Sequence, residues 1–178
     1  MGLVLGIDTG FSTMGLSLME VSSTREYVMG GRTLTTKKSA KKLNIRASDD
    51  NMRRAREIAV ELRRRLDTYD INAVCMEAQS WPRNASSSAK IGISWGIVAA
   101  VAEAKGLPVL QATPQAIKKA LVGKNSASKD EIIAAITKRH PEIKWPKAKG
   151  IHEHIADATG AVIACMDSDI IRMVRQLP

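Results

Sequence analysis

With 178 residues and 44% apolar side chains, the chain can build one ordinary domain around a single core, and its composition excludes intrinsic disorder. Its 12 glycines and 6 prolines form no low-complexity tract or repeat, and aromatics are only 3%, which leaves aliphatic packing to make the core. The net charge of +9 is unevenly spread, with +8 on residues 32–65, +6 on residues 113–150 and a slightly acidic remainder, a distribution suited to phosphate binding around carboxylates.

Residues 3–8 are a short apolar run ending in Asp8-Thr9-Gly10, which predicts a strand and then a turn. Residues 14–21 and 26–34 read as a second and a third strand, and the short connections suggest an antiparallel meander. A basic loop over residues 37–46 precedes a long helix, for which Ser48 or Asp49 is the expected cap. Met52, Ala55, Ile58, Ala59, Leu62, Leu66 and Tyr69 predict its buried stripe, with Arg53, Arg54, Arg56, Arg63, Arg64 and Arg65 largely outside it.

Residues 73–76 predict a fourth strand that delivers Glu77 at its end. A second helix is expected to run to about residue 104. Its apolar residues occur nearly all round, which predicts burial on more than one side, either within the chain or against a second copy of it. Residues 107–110 read as a fifth strand, parallel to the fourth through the intervening helix. Thr113-Pro114 starts one helix, and the Ser128/Glu131 spacing of a capping box starts the next, which His140-Pro141 ends. After a lysine-containing loop over 141–150, a last long helix is expected over 151–166, followed by a short amphipathic tail. The sum is an α/β fold in one domain over residues 1–178.

Cys75 and Cys165 lack metal-binding spacing and sit in apolar runs, which predicts two separate, buried, reduced thiols and no zinc site. No basic leader precedes residues 3–5, and no apolar run is expected to approach a membrane span. A cytoplasmic protein without a membrane partner is the expectation.

Asp8 and Glu77 each end a strand, and in a mixed sheet those ends can lie side by side. His154 and Asp157 are three apart on the last helix and leave it from one face. Each alone has an ordinary structural explanation as a turn, a solvated strand end or a solvated helix face. Jointly, three carboxylates and an imidazole suit Mg²⁺, with Mn²⁺ as a substitute. Two such ions could support phosphodiester hydrolysis leaving a 5′-phosphate. Glu153 also shares a face with Asp157 and rivals His154, whereas His152 points elsewhere.

Leu5-Gly6-Ile7-Asp8-Thr9-Gly10, followed by Gly15, resembles the opening strand of the RuvC Holliday-junction resolvases. Met76-Glu77 resembles their second acidic strand end. Residues 117–123 and 126–129 resemble the segment with two junction-contacting lysines, and residues 154–158 resemble the final acidic helix. The ordered set covers about residues 3–166. The resemblance implies a ribonuclease-H-like fold with a five-stranded mixed sheet, its first three strands antiparallel, flanked by helices.

It further implies a magnesium-dependent crossover junction endodeoxyribonuclease of DNA recombination and repair. Such an enzyme makes paired symmetric nicks in four-way junctions as a homodimer, with two ions per site and no nucleotide cofactor. Asp8, Glu77, His154 and Asp157 would be catalytic and metal-binding, and Lys118 and Lys129 would contact DNA. Thr9 stands where many members have proline. Ser80 stands where members place a stacking aromatic, so Trp81 beside it, with Arg83, is the candidate for DNA contact in that loop. Independently of the resemblance, Lys144, Trp145, Lys147 and Lys149 in the 141–150 loop are a further candidate backbone-contacting element.

Three other readings are open at this point. A nuclease of forks, flaps or replication intermediates would use the same basic surface. A non-catalytic DNA-binding protein would share the fold, although every expected acidic position is filled. An actin-like or sugar-kinase ATPase needs a second phosphate loop and a second such domain, and the chain has no Asp-Gly dipeptide.

Overall fold

The computed structural model describes residues 1–79 and 84–177; Ser80, Trp81 and Arg83 lie outside the described residues. Apolar side chains alternate to both faces of the early strands. Val4 and Leu5 point to opposite faces, as do Ala73 and Val74, and all four are buried, so the sheet must be covered on both sides. Strands β1 (Gly2–Asp8), β2 (Thr13–Val21) and β3 (Glu26–Thr35) form the antiparallel meander expected. β4 (Ile71–Glu77) and β5 (Val109–Ala112) add parallel strands on the other side of β1, giving the order β3-β2-β1-β4-β5.

Helices α1 (Ala47–Thr68) and α2 (Ala85–Glu103) cover one face. The other face carries α3 (Pro114–Val122), α4 (Lys129–Arg139), α5 (His152–Ala164) and α6 (Asp169–Val174). Helix α5 is the central one. Eight of its 13 residues, Ile155, Ala156 and the run 158–163, are buried, and it packs on β1, β2 and β4. It can lie this close because three strands offer glycine beneath it. A Cβ on Gly6 would sit 2.1 Å from the Ala158 carbonyl oxygen, one on Gly15 1.9 Å from that of His154, and one on Gly31 2.3 Å from the Ile155 side chain.

Several local expectations shift. β5 lies at Val109–Ala112 rather than 107–110, because Pro108 and the turn at Gly106 take the earlier positions. α1 begins after Arg46, with no side-chain cap. Ser48 and Asp49 lie inside its first turn, where Asp49 and Asp50 complement the helix dipole instead. Its buried stripe runs in steps of four through Asp50, Arg54, Ile58, Leu62 and Leu66. Met52 and Tyr69 are exposed, whereas Arg54 is only 1% exposed.

Among the described residues, helix α2 buries Ser94, Val98 and Ala102 and leaves Ile93 exposed, so much of its apolar girth lacks cover from them. By length and composition it is long and apolar enough to cross a bilayer, contrary to the expectation that no run comes near this; here it lies against α1. Cys75 and Cys165 are free and buried but not separate. They share the core cluster on the α5 side of the sheet, where their interaction pushes the Cys75 thiol up and that of Cys165 down.

Candidate active site

The parallel register of β1 and β4 pairs Ile7 with Met76, so the next residues, Asp8 and Glu77, emerge side by side at one sheet edge. Asp8 lies opposite Gly15 on β2. The missing side chain at Gly15 admits the backbone of α5, and His154 Nδ1 then lies 2.7 Å from Asp8 Oδ2. Since an ionised carboxylate only accepts, Nδ1 carries the hydrogen in that contact. Asp157, one helical turn on, lines a cleft of about 220 Å³ together with Glu77, Lys118 and Lys129.

The lysines reach the cleft through well-defined helix ends. Thr113 caps α3 by accepting from the Ala116 amide at 3.1 Å, with Pro114 in the first turn. Gly123, in the left-handed region at φ 79°, ends that helix. Ser128 and Glu131 form the expected reciprocal capping box, which makes Lys129 the first residue of α4. The four acidic and imidazole groups named from the sequence are therefore brought together with both lysines. Trp81 and Arg83 lie outside the described residues.

Burial, then the charges of Asp8 and Asp157, push the Glu77 carboxyl up to about 7, against opposing pulls from Lys118 and Lys129. Burial and the charge of Asp8 likewise push Asp157 up to about 6, opposed by Lys129, His154 and Lys118. The hydrogen bond to Asp8 raises the proton affinity of His154. Negative charge is thus crowded here beyond what the local cations neutralise, the condition under which a divalent cation is favoured.

Among the described residues no three such groups converge tightly enough to enclose an ion, so the carboxylates line an open edge rather than a closed cage. The donor set still fits Mg²⁺ or Mn²⁺, which take oxygen ligands, often only one or two carboxylates, and keep several waters.

Glu153 and His154 leave α5 toward different partners. Glu153 forms an ion pair with Lys129, while His154 faces Asp8. His152 points away, its Nε2 2.6 Å from the Pro146 carbonyl oxygen and its ring against Trp145. Trp145 is occupied structurally, donating to Thr137 Oγ1 at 3.0 Å and packing on the core, so the 141–150 loop presents Lys144, Lys147 and Lys149 to solvent without it. Sequence reasoning missed why Gly15 and Gly31 matter. The available signal was glycine inside predicted strands, which marks close backbone approach.

The family model described as crossover junction endodeoxyribonuclease RuvC matches residues 4–166. A protein of that name from Chlamydia trachomatis serovar L2 is 28% identical over 158 residues, 88% of this chain and 86% of that one. Another from Pseudothermotoga lettingae is 28% identical over 130 residues, 73% and 75% of the two chains. Among solved structures, T. thermophilus RuvC in complex with a Holliday junction substrate superposes with a TM-score of 0.74 at 24% identity, covering 92% of each chain. The yeast mitochondrial Holliday junction resolvase Ydc2 does so with a TM-score of 0.65 at 14% identity, covering 98% of this chain and 82% of that one. This chain belongs to the crossover junction endodeoxyribonuclease RuvC family and has its ribonuclease-H-like fold.

Proposed function

We propose that this chain is a magnesium-dependent endodeoxyribonuclease that resolves four-way DNA junctions as a homodimer, making paired symmetric nicks that leave 5′-phosphates. The observation that carries the reading is the sheet edge where Asp8, Glu77, Asp157 and His154 gather under two lysines, with the Glu77 and Asp157 carboxyls pushed up to about 7 and about 6. Family membership supports the nuclease chemistry, and divalent-metal dependence is general among such nucleases. The T. thermophilus relative's complex with a Holliday junction supports the junction as substrate.

Asp8, Glu77 and Asp157 would hold Mg²⁺ through oxygen donors, with Mn²⁺ able to substitute and two ions per site. Such ions supply positive charge against the scissile phosphate and acidify water. The protein's own groups do the rest. Lys118 and Lys129, which line the same cleft as Glu77 and Asp157, would bring fixed positive charge to the phosphate oxygens. Asp8 orients the His154 ring through Nδ1, which leaves Nε2 as the atom that can exchange a proton with the attacking water. Water oxygen bonds to phosphorus as the P–O3′ bond breaks, and the proton released from water is balanced by one taken up at the 3′ oxygen. Dimerisation through the exposed apolar side of α2 would place two such sites on one junction.

The test is a synthetic four-way junction with labelled arms in Mg²⁺, scored beside a Y-fork and a duplex. Paired symmetric nicks in the junction are expected. Equal cutting of all three would defeat the junction reading and leave a general nuclease, whereas binding without cutting would defeat both.

A further inference from the structure

Arg54 is a buried cation on neutral partners. It lies on α1, is 1% exposed, and among the described residues has no carboxylate in ion-pair range. Asp50, one turn earlier, is taken up by Ser39 and Arg53. The Arg54 guanidinium instead donates through Nε to Thr36 Oγ1 at 2.9 Å and through Nη2 to Ser12 Oγ at 2.8 Å and to the Phe11 carbonyl at 3.3 Å. Its Cζ stands 4.4 Å over the Phe11 ring, and Nη1 is buried without a hydrogen-bond partner among the described residues.

All these partners belong to two places. Phe11 and Ser12 lie in the β1–β2 connection that starts directly after Asp8, and Thr36 follows β3. Thr36 ties the same two places together, its hydroxyl donating to the Phe11 carbonyl at 2.6 Å and its amide to the Ser12 carbonyl at 3.0 Å. Arg54 therefore closes a hydrogen-bonded clamp on a connection only four residues long, one end of which is Asp8.

For stability alone this is a poor choice of residue. A flexible apolar side chain of similar length would fill the space without desolvating a charge or stranding a nitrogen. What the planar fork adds is direction, with several donors fixed in one plane on neutral acceptors and its face on an aromatic ring. From this geometry we infer that Arg54 is a positioning residue of the nuclease site, holding the turn that aims the Asp8 carboxylate. The inference rests on the nuclease reading above.

Arg54→Met tests it beside wild type and Asp8→Asn. The variant is expected to melt no lower than wild type, while amide exchange over residues 9–13 rises roughly tenfold or more with the strands unchanged. Junction affinity measured in Ca²⁺ should stay within about twofold, while kcat for nicking falls roughly 10–100-fold, the scale expected for a misplaced catalytic group. A Ser12→Ala/Thr36→Val double variant keeps Arg54 but removes its side-chain acceptors, and should show the same split.

Unchanged exchange over 9–13 in Arg54→Met overturns the inference, as does a kcat loss matched by equal losses of melting temperature and DNA affinity. Should Arg54→Met fail to fold, normal exchange and kcat in the double variant overturn it. If wild type itself does not nick, the nuclease reading fails and the exchange measurement alone decides whether Arg54 holds the turn.

Discussion

Replacing Glu77 by glutamine in the metal-free protein should stabilise the fold in a pH-dependent way. Burial and neighbouring negative charge raise the Glu77 carboxyl from 4.5 to about 7. A raised carboxyl means that the folded state holds its proton where the unfolded chain has released it. The folded state then loses stability as pH climbs from about 4.5 to about 7, with no further change above. At about 1.36 kcal/mol per unit the full shift corresponds to roughly 3 kcal/mol, which partial solvent exposure reduces to about 2 kcal/mol.

Urea unfolding in EDTA at pH 4.5, 6 and 8 measures this. Glu77→Gln should gain about 2 kcal/mol on wild type between the lowest and highest pH, or roughly 4–8 °C in Tm for a chain of this size. Adding Mg²⁺ at pH 8 should narrow the gap, because an ion that binds only the folded wild type stabilises it by mass action. A gap that stays flat with pH, or a wild type that gains on the variant at pH 8, would refute the crowding of negative charge at this edge.

Gly15→Ala would drive a methyl group into the His154 carbonyl, 1.9 Å from the Cβ position, and should cost about 2–3 kcal/mol by thermal melting while abolishing nicking. Ser128→Ala removes the capping box that starts α4 and should cost about 1 kcal/mol in urea unfolding. His154→Ala should lower nicking at fixed Mn²⁺ by roughly 100-fold or more, whereas Glu153→Ala should stay within about threefold; the reverse ranking would reassign the site. Ile93→Glu on the exposed apolar side of α2 should convert the proposed dimer to a monomer in light scattering without lowering Tm.

Local rules in this sequence were enough for the elements whose signals are chemical and short-range. Thr113-Pro114 and Ser128/Glu131 start their helices where the residues demand, because a cap is satisfied by backbone amides two or three positions away. The three-strand meander and the strand ends at Asp8 and Glu77 followed from apolar alternation and turns. The start of α1 did not, since several adjacent residues could cap it and the packing of Ile58, Leu62 and Leu66 decides the matter. Arg54 was misplaced for the same reason. Its charge argues for solvent, and only Phe11, Ser12 and Thr36, more than 15 residues away, supply the reason to bury it.

By itself the sequence determined the α/β class, the order of the acidic positions and the kind of chemistry their oxygen donors favour, since these depend on residue type and periodicity. Tertiary structure alone decided that His154 rather than Glu153 faces Asp8, that Lys118 and Lys129 share a cleft with Glu77 and Asp157, and that the apolar girth of α2 stays open. The physical reason is one of range. A carboxyl is pushed up to about 7 by burial and by charges brought in from β1 and α5, and no window of sequence around Glu77 contains either.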